Sequence, residues 1–329
     1  MFFILQKKLT QSKFFIVKNR QGPYSYPMKQ DLPLIFSPEV KKAIQDKSPI
    51  LGLESTIITH GMPFPTNLET AKLTEGIALK EGVTPATIAV IKGRIHIGLT
   101  QENLEELTSE KNSLKLSRKD LGFALGAQKT GGTTVAATTF LCGLAGIKVF
   151  ATGGLGGVHR EVEKTWDVSA DLKAISEAPV TIVCAGAKSI LDVPKTMEAL
   201  ETLNVPVIGY KTKSLPLFYL SEGGPSLDLH TDNLDQLINC LRSQRSLFPN
   251  EGIVVANPIP KKDELPKELH EKALEEGLLK AKKEKIQGKE LTPFLLETVS
   301  ELTKGLSLKA NISLIQNNAL LGSQLALKL

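Results

Sequence analysis

The sequence is short of cysteine and has no long apolar run. Its three cysteines, Cys142, Cys184 and Cys240, lie far apart and inside apolar stretches. That spacing offers neither a disulfide framework nor a zinc site, and it fits reduced, buried thiols in an intracellular, cytoplasmic protein. No stretch approaches the roughly 18 apolar residues of a membrane span, so no membrane partner is expected. After residue 37 there is no Gly/Ser linker, no shift in composition and no internal repeat. Acidic residues are missing altogether before Asp31. Residues 1–27 therefore read as a disordered N-terminal extension, with Met28 as an alternative start. They lack the charge-then-apolar order of a signal peptide, while organelle targeting stays open.

What is present belongs to a globular protein: 41% hydrophobic and 23% charged residues. The formal charge of +5 is mild and comes largely from the first thirty residues, so no nucleic-acid partner is expected. From Ser37 onward strands alternate with helices. Ser37-Pro38 is a helix start, a capping hydroxyl followed by proline at the first helical position. PILGLE reads as a buried strand ending on Glu54. A helix is expected over 66–81, then a hairpin of ATIAVI and RIHIGL turning at Lys92-Gly93. TTVAATTFLCGLAGI is helical, KVFATGG and VTIVCAGA are strands, a helix covers 189–203, and VPVIGY and GIVVANPIP are strands. A charged amphipathic helix spans 263–286, and Thr292-Pro293 and Ser307 open two more. Several strands are apolar throughout, which indicates a sheet covered on both faces. The expectation is one α/β domain over residues 28–329, with a mixed sheet to which the hairpin contributes antiparallel pairing.

Several short segments carry chemistry, each with a plainer alternative. GAQKTGGTT (126–134) resembles a phosphate loop but has Gly132 where the phosphate lysine must stand, which excludes triphosphate hydrolysis. Gly131-Gly132-Thr133-Thr134 before a helix still suits an anion, or an ordinary capped turn. ATGGLGGVHR (151–160) is no dinucleotide fingerprint, because His159 occupies the third glycine position. His159 and Arg160 offer a proton carrier and an anion partner, or structural hydrogen bonds. In WDVSAD, Asp167 could take a hard divalent ion, while Ser169 and Asp171 could merely cap a helix. Glu54 is a paired structural charge or an acid–base group shifted by burial, and His60 follows it in the loop. KLSRKDL (115–121) is a basic cluster, which most often means a solvated face.

Lys188 has the clearest logic. It follows an apolar strand among Ala185, Gly186 and Ala187, residues too small to cover it. A lysine partly desolvated beside another cation becomes a nucleophile toward a sugar carbonyl. The plain alternative is an exposed lysine opening a helix.

Taken together, LESTIITHGMPFP, KLSRKDL, GGTTVAATTFLCGLAGIKVFATGGLGGVHR, DVSADL, VCAGAKSILDVPKTMEALETLNVPVIGY, ANPIP and the LTPFLLETVSELTKG…LKANISLIQNNA tail resemble the pseudouridine-5′-phosphate glycosidase family, also called indigoidine-synthase-A-like. The resemblance runs from about Ser37 to the C-terminus in unbroken order. It implies a three-layer α/β/α fold with a central mixed sheet, and a homotrimer with one manganese ion per subunit. The implied reaction is reversible cleavage of the C–C glycosidic bond of pseudouridine 5′-phosphate to uracil and ribose 5-phosphate, through a lysine Schiff base. By motif, the resemblance makes Lys188 the nucleophile, Glu54 the proton donor and Asp167 the metal ligand. Lys115, Val135, and Ser169 through Ala170 to Asp171 match substrate-binding positions, and His159 and Asn311 match further active-site positions. A Schiff-base aldolase or other phosphosugar lyase would share Lys188 and the phosphate site. A catalytically silent phosphosugar-binding protein would need no buried nucleophile.

Overall fold

The computed structural model describes residues 34–329 apart from Gln287. The extension expected over 1–27 and the alternative start at Met28 lie outside the described residues. In chain order the elements are β1 (Leu34–Phe36), α1 (Pro38–Asp46), β2 (Ile50–Leu53), α2 (Thr56–His60), α3 (Thr66–Lys80), β3 (Thr84–Ile91), β4 (Arg94–Ile97) and α4 (Gln101–Ser109). There follow β5 (Leu114–Leu116), α5 (Leu121–Gly126), β6 (Gly131–Thr133), α6 (Val135–Ala145), β7 (Val149–Ala151), α7 (Val162–Thr165), α8 (Ala170–Ser176), β8 (Thr181–Cys184) and α9 (Val193–Thr202). The chain ends with β9 (Val207–Tyr210), β10 (His230–Thr231), α10 (Leu234–Leu247), β11 (Ile253–Ala256), α11 (Lys267–Glu284), α12 (Leu291–Leu302) and α13 (Leu306–Ala326).

The strands join in the order β1-β4-β3-β2-β7-β8-β11-β9-β10, with β6 on β3 and β5 on β6. From β3 through to β10 every neighbouring pair is parallel. The β3–β4 hairpin is antiparallel and turns at Lys92 and Gly93, both at positive φ. Its geometry follows from the preferred two-residue hairpin turn, whose positive φ matches the twist of the strands. The sheet is therefore mixed, and its parallel half must be covered on both faces.

Successive strand residues point to opposite faces, and the buried clusters show two layers. Phe150, Ile182, Val254 and Ala256 pack with Leu141 of α6, Ile175 of α8 and Leu200 of α9. The alternate residues, Val149, Ala151, Val183 and Val255, pack with Ala78 of α3, Leu237 and Leu241 of α10, and Leu325 of α13. The result is α/β/α in three layers. Each fully buried Leu, Ile, Val or Phe contributes roughly 1.5–3 kcal/mol relative to exposure.

The cap at Ser37 forms as expected, its hydroxyl accepting from the Val40 N–H at 3.2 Å. Two expectations fail. The helix expected from 189 begins only at Val193, capped by Asp192. Residues 185–192 are held instead by bridges of Ala187 to Leu155 and of Gly186 to Leu217. Cys142 and Cys184 are buried, but Cys240 is exposed. It lies on the solvent side of amphipathic α10, whose inner face is Leu237, Ile238 and Leu241. Burial pushes the Cys184 thiol up to about 12, which keeps it protonated and unreactive.

Candidate active site

Parallel strands all end at one edge of the sheet, and loops leaving that edge are where ligands of open α/β folds bind. Glu54 follows β2, Thr152 and Gly153 follow β7, Ala185 through Lys188 follow β8, and Asn257 follows β11. Lys188 sits on a braced extended loop. Its N–H donates to Leu155 O at 3.0 Å, and the Leu191 N–H donates back to its carbonyl at 3.0 Å. Gly186 holds φ +79, and a Cβ there would lie 2.0 Å from the Pro216 carbonyl oxygen, so only glycine lets the two loops meet. The half-buried lysine thus belongs to a loop, four residues ahead of the Asp192 cap.

A cleft of about 330 Å³ opens beside it. Lys188 and Glu54 both line it. Lys115 of β5 and Val135, the first residue of α6, line one wall, and His159, Asp167, Ser169, Ala170 and Asp171 line another. Among the first-turn N–H groups of α6, that of Ala136 donates to Asp171 Oδ1 at 2.8 Å and that of Ala137 to Thr134 Oγ1 at 3.5 Å. The wall that combines Lys115 with this helix terminus suits an anion. The two glycines before it do something else. Gly131–Thr133 is a strand, and a Cβ on Gly132 would lie 2.3 Å from Thr59 Oγ1, so the glycine allows close packing of β6 on α2.

The carboxylates differ. Asp171 is buried, and its two oxygens accept the N–H groups of Ala136 and Gly156, each at 2.8 Å. It fastens α8 to α6 and to the glycine-rich loop. Ser169 caps α8, accepting from the Asp171 N–H at 3.2 Å, and faces the cleft as well. Glu54 keeps some surface toward the cleft but is enclosed by protein. Burial raises its carboxyl above the usual carboxylate range, against the lowering effects of Lys188, the Thr152 hydroxyl bond and Lys115. Asp171 reinforces the rise.

His159 Nδ1 stands 4.0 Å from Asp167 Oδ2, and the backbone N–H of His159 donates to Asp167 O at 3.0 Å. Burial holds the imidazole below its ordinary value, opposed by Asp167 and aided by Lys188 and Lys115. Among the described residues no three His, Cys, Asp or Glu side chains converge as a cage. Asp167 is part-exposed, and a single carboxylate fits only a hard divalent cation that keeps most of its water. Arg160, next to His159, lines a separate cavity with His270 and does not enter the cleft.

A narrow inner chamber continues from the cleft. Glu54, Lys115 and Lys188 border it together with Phe218, Leu296 and Asn311 of α13. Asn311 is 3% exposed, and its Oδ1 has no hydrogen-bond partner. An orphaned buried acceptor is costly, about 1–3 kcal/mol, and marks where a ligand donor belongs. His60, at the chamber rim, has its Nδ1 2.7 Å from Thr59 Oγ1 and is also hydrogen-bonded to the Ser113 backbone. It ties α2 to the strand that carries Lys115. Of the basic cluster, Lys115 and Lys119 reach the cleft, whereas Arg118 pairs with Glu177 at 2.5 Å on the surface.

Sequence reasoning brought together every cleft residue it named but missed Thr152, Phe218, Thr292 and the amides Asn257 and Asn318. Thr152, Thr292, Asn257 and Asn318 all stand inside motifs named in the sequence, but no pattern there gave them a role in the site.

The chain is similar to known proteins. A model of the family described as indigoidine synthase A like protein matches residues 39–328. A pseudouridine-5′-phosphate glycosidase of Caldanaerobacter subterraneus subsp. tengcongensis is 48% identical over 294 residues, 89% of this chain and 96% of the relative. One of Paracoccus denitrificans is 50% identical over 297 residues, 89% of this chain and 98% of the relative. The prealnumycin C-glycosynthase AlnA, solved with ribulose 5-phosphate, superposes with a TM-score of 0.82 at 34% identity, covering 91% of this chain and 97% of the other. This chain belongs to the indigoidine synthase A-like family.

Proposed function

We propose that this protein is a pseudouridine-5′-phosphate glycosidase, which reversibly splits the C–C glycosidic bond to give uracil and ribose 5-phosphate. The observation that carries the reading is one cleft holding an amine, Lys188, and a buried carboxyl, Glu54, beside the anion-binding wall of Lys115 and Val135. The names of the relatives and the pentose phosphate bound to AlnA support it.

A carbon leaving group cannot be released by protonating a heteroatom, as in ordinary glycoside hydrolysis. The sugar ring must open first. In the cleavage direction the Lys188 amine attacks C1′ and the bond from C1′ to the ring oxygen breaks, Glu54 supplying the proton to that oxygen. The nitrogen of the adduct returns a proton to the Glu54 carboxylate just formed, and its lone pair then forms an iminium at C1′ as the C1′–C5 bond breaks. The bonding electrons go to C5 of uracil, which takes up a proton. Water hydrolyses the iminium, freeing ribose 5-phosphate and the lysine. His159 or Asp171, both of which line the cleft, carries that second proton. Positioning the sugar through its phosphate can contribute on the order of 7–11 kcal/mol toward lowering the barrier.

Lys115, Ser169 and the backbone at Val135 bind the phosphate. Asp167 would hold a manganese ion, which would supply positive charge to balance the phosphate. Asn311 reads the base, its unpartnered oxygen accepting an N–H of uracil. The protein works as a cytoplasmic homotrimer, which light scattering of the purified protein checks. The functional test is incubation with pseudouridine 5′-phosphate and Mn²⁺. Release of uracil with ribose 5-phosphate supports the reading, and a phosphosugar product that forms without any need for the base supports an aldolase instead.

A further inference from the structure

The Glu54 carboxyl is not left to orient itself. The Thr152 hydroxyl donates to Glu54 Oε1. Thr152 is 2% exposed, and its backbone is fixed from two sides. Its N–H donates to Val183 O at 3.0 Å, and its carbonyl accepts Asn318 Nδ2 at 2.8 Å. Asn318, fully buried on α13, accepts at Oδ1 from Asn257 Nδ2 at 2.9 Å. The Asn257 N–H donates in turn to Cys184 O at 2.8 Å. Two amides thus tie together the ends of β7, β8 and β11, the edge from which the active-site loops leave. Their orientations agree with each other, since each nitrogen meets an oxygen. Asn318 lies seven residues after Asn311, two turns on along the same face of α13. One buried clamp therefore sets both the Glu54 partner and the residue facing the base.

A β-branched side chain is stiff at χ1, so a threonine whose backbone is pinned presents its hydroxyl in one direction. The cavity that Thr152 and Glu54 line together is apolar on one part, with Leu53, Ala151 and Ile315, and carries Asn67, Thr70, Thr74 and Thr87 on the rest. A hydroxyl in such surroundings needs a partner, and the partner here is the carboxyl.

We infer that Thr152 is the positioning residue of Glu54, anchoring one carboxyl oxygen so that the other is the one presented to the substrate. The inference rests on reading Glu54 as the proton-transfer group. Besides Thr152, the charged groups that act on Glu54 are Lys188, Lys115 and Asp171. The hydroxyl bond favours the ionised carboxyl, so its loss raises the Glu54 pKa further.

The test compares Thr152→Val, which keeps the shape, with Thr152→Ser, which keeps the hydroxyl, using pseudouridine 5′-phosphate across pH. Carbon-13 NMR follows the Glu54 carboxyl in parallel, assigned with Glu54→Gln. T152V is expected to lower kcat about 10–100-fold, the size of a small misplacement at a reacting group, with KM changed less than about threefold. Its pH limb and its Glu54 titration should both move upward, and T152S should recover most of the activity. Unchanged kcat and titration in T152V would overturn the inference. So would a T152S protein as impaired as T152V, because the methyl group and not the hydroxyl would then matter. If T152V does not fold, Thr152→Ala replaces it. If the unmodified protein releases no uracil, the functional reading fails, and the Glu54 titration alone decides whether Thr152 acts on that carboxyl.

Discussion

Two carboxylates face the same cleft, and their surroundings give them opposite characters. Asp171 is built into a helix junction. Both of its oxygens are held by backbone N–H groups, and its side chain holds α8, α6 and the glycine-rich loop together. Glu54, at the end of β2, accepts from a single hydroxyl, and burial raises its carboxyl against the pull of Lys188 and Lys115. A carboxylate with a backbone donor on each oxygen ties the elements that carry those donors. A carboxyl with one donor, its neutral form favoured by burial, is poised to hand over a proton. Environment, not residue type, assigns the roles.

The comparison matters only if a nucleophile stands beside Glu54, so the largest expected effect is at Lys188. Lys188→Ala should lower turnover by on the order of 10⁴-fold or more, the scale seen when a covalent nucleophile is lost. Uracil release followed by chromatography checks this. Next in size, Glu54→Gln should lower kcat by roughly 10²–10⁴, the usual contribution of a positioned acid–base group.

The same acid-to-amide change sharpens the contrast in stability. A carboxyl whose folded value is raised contributes stability that is fully present below its ordinary value of 4.5 and is lost as pH rises through the folded value. Glutamine at 54 can still accept the Thr152 bond while removing the charge. E54Q should therefore stabilise the protein at neutral pH by roughly 0.5–2 kcal/mol, with the gain fading below about pH 4. Asp171→Asn should do the reverse. An amide offers one acceptor oxygen to two N–H groups, which leaves a buried donor facing a donor at a cost of about 1–3 kcal/mol. Melting curves of both variants at pH 4 and pH 7.5 check the opposite signs. If both variants were destabilised equally, the distinction between the two carboxylates would be lost. The smallest effect is expected at Asp167→Asn, which should raise KM about tenfold with little change in kcat and make the protein insensitive to a chelator.

Much of this was legible in the sequence, for identifiable reasons. The apolar runs of β7, β8 and β11 announce a sheet covered on both faces, because alternate residues such as Phe150 and Val149 enter opposite cores. Ser37-Pro38 and Lys92-Gly93 are local signals, and they formed as local rules require. Glu54 and Lys188 could be singled out because each is a charge that follows an apolar strand. The buried neutral partners left no such mark. Asn318 and Asn257 are 61 residues apart in the chain, and nothing in either segment announces their pairing. Thr152 reads as an ordinary strand end until the fold brings β2 alongside β7. At Gly132 the sequence left an anion site and an ordinary capped turn open, because a glycine that admits a neighbouring chain segment looks, in sequence, like one that admits a phosphate.

The most direct test of the account is borohydride trapping. Protein mixed with ribose 5-phosphate and sodium borohydride, then digested and mapped by mass spectrometry, should carry one reduced phosphopentose adduct, on Lys188. An adduct on another lysine, or full turnover in a protein that yields none, would contradict it.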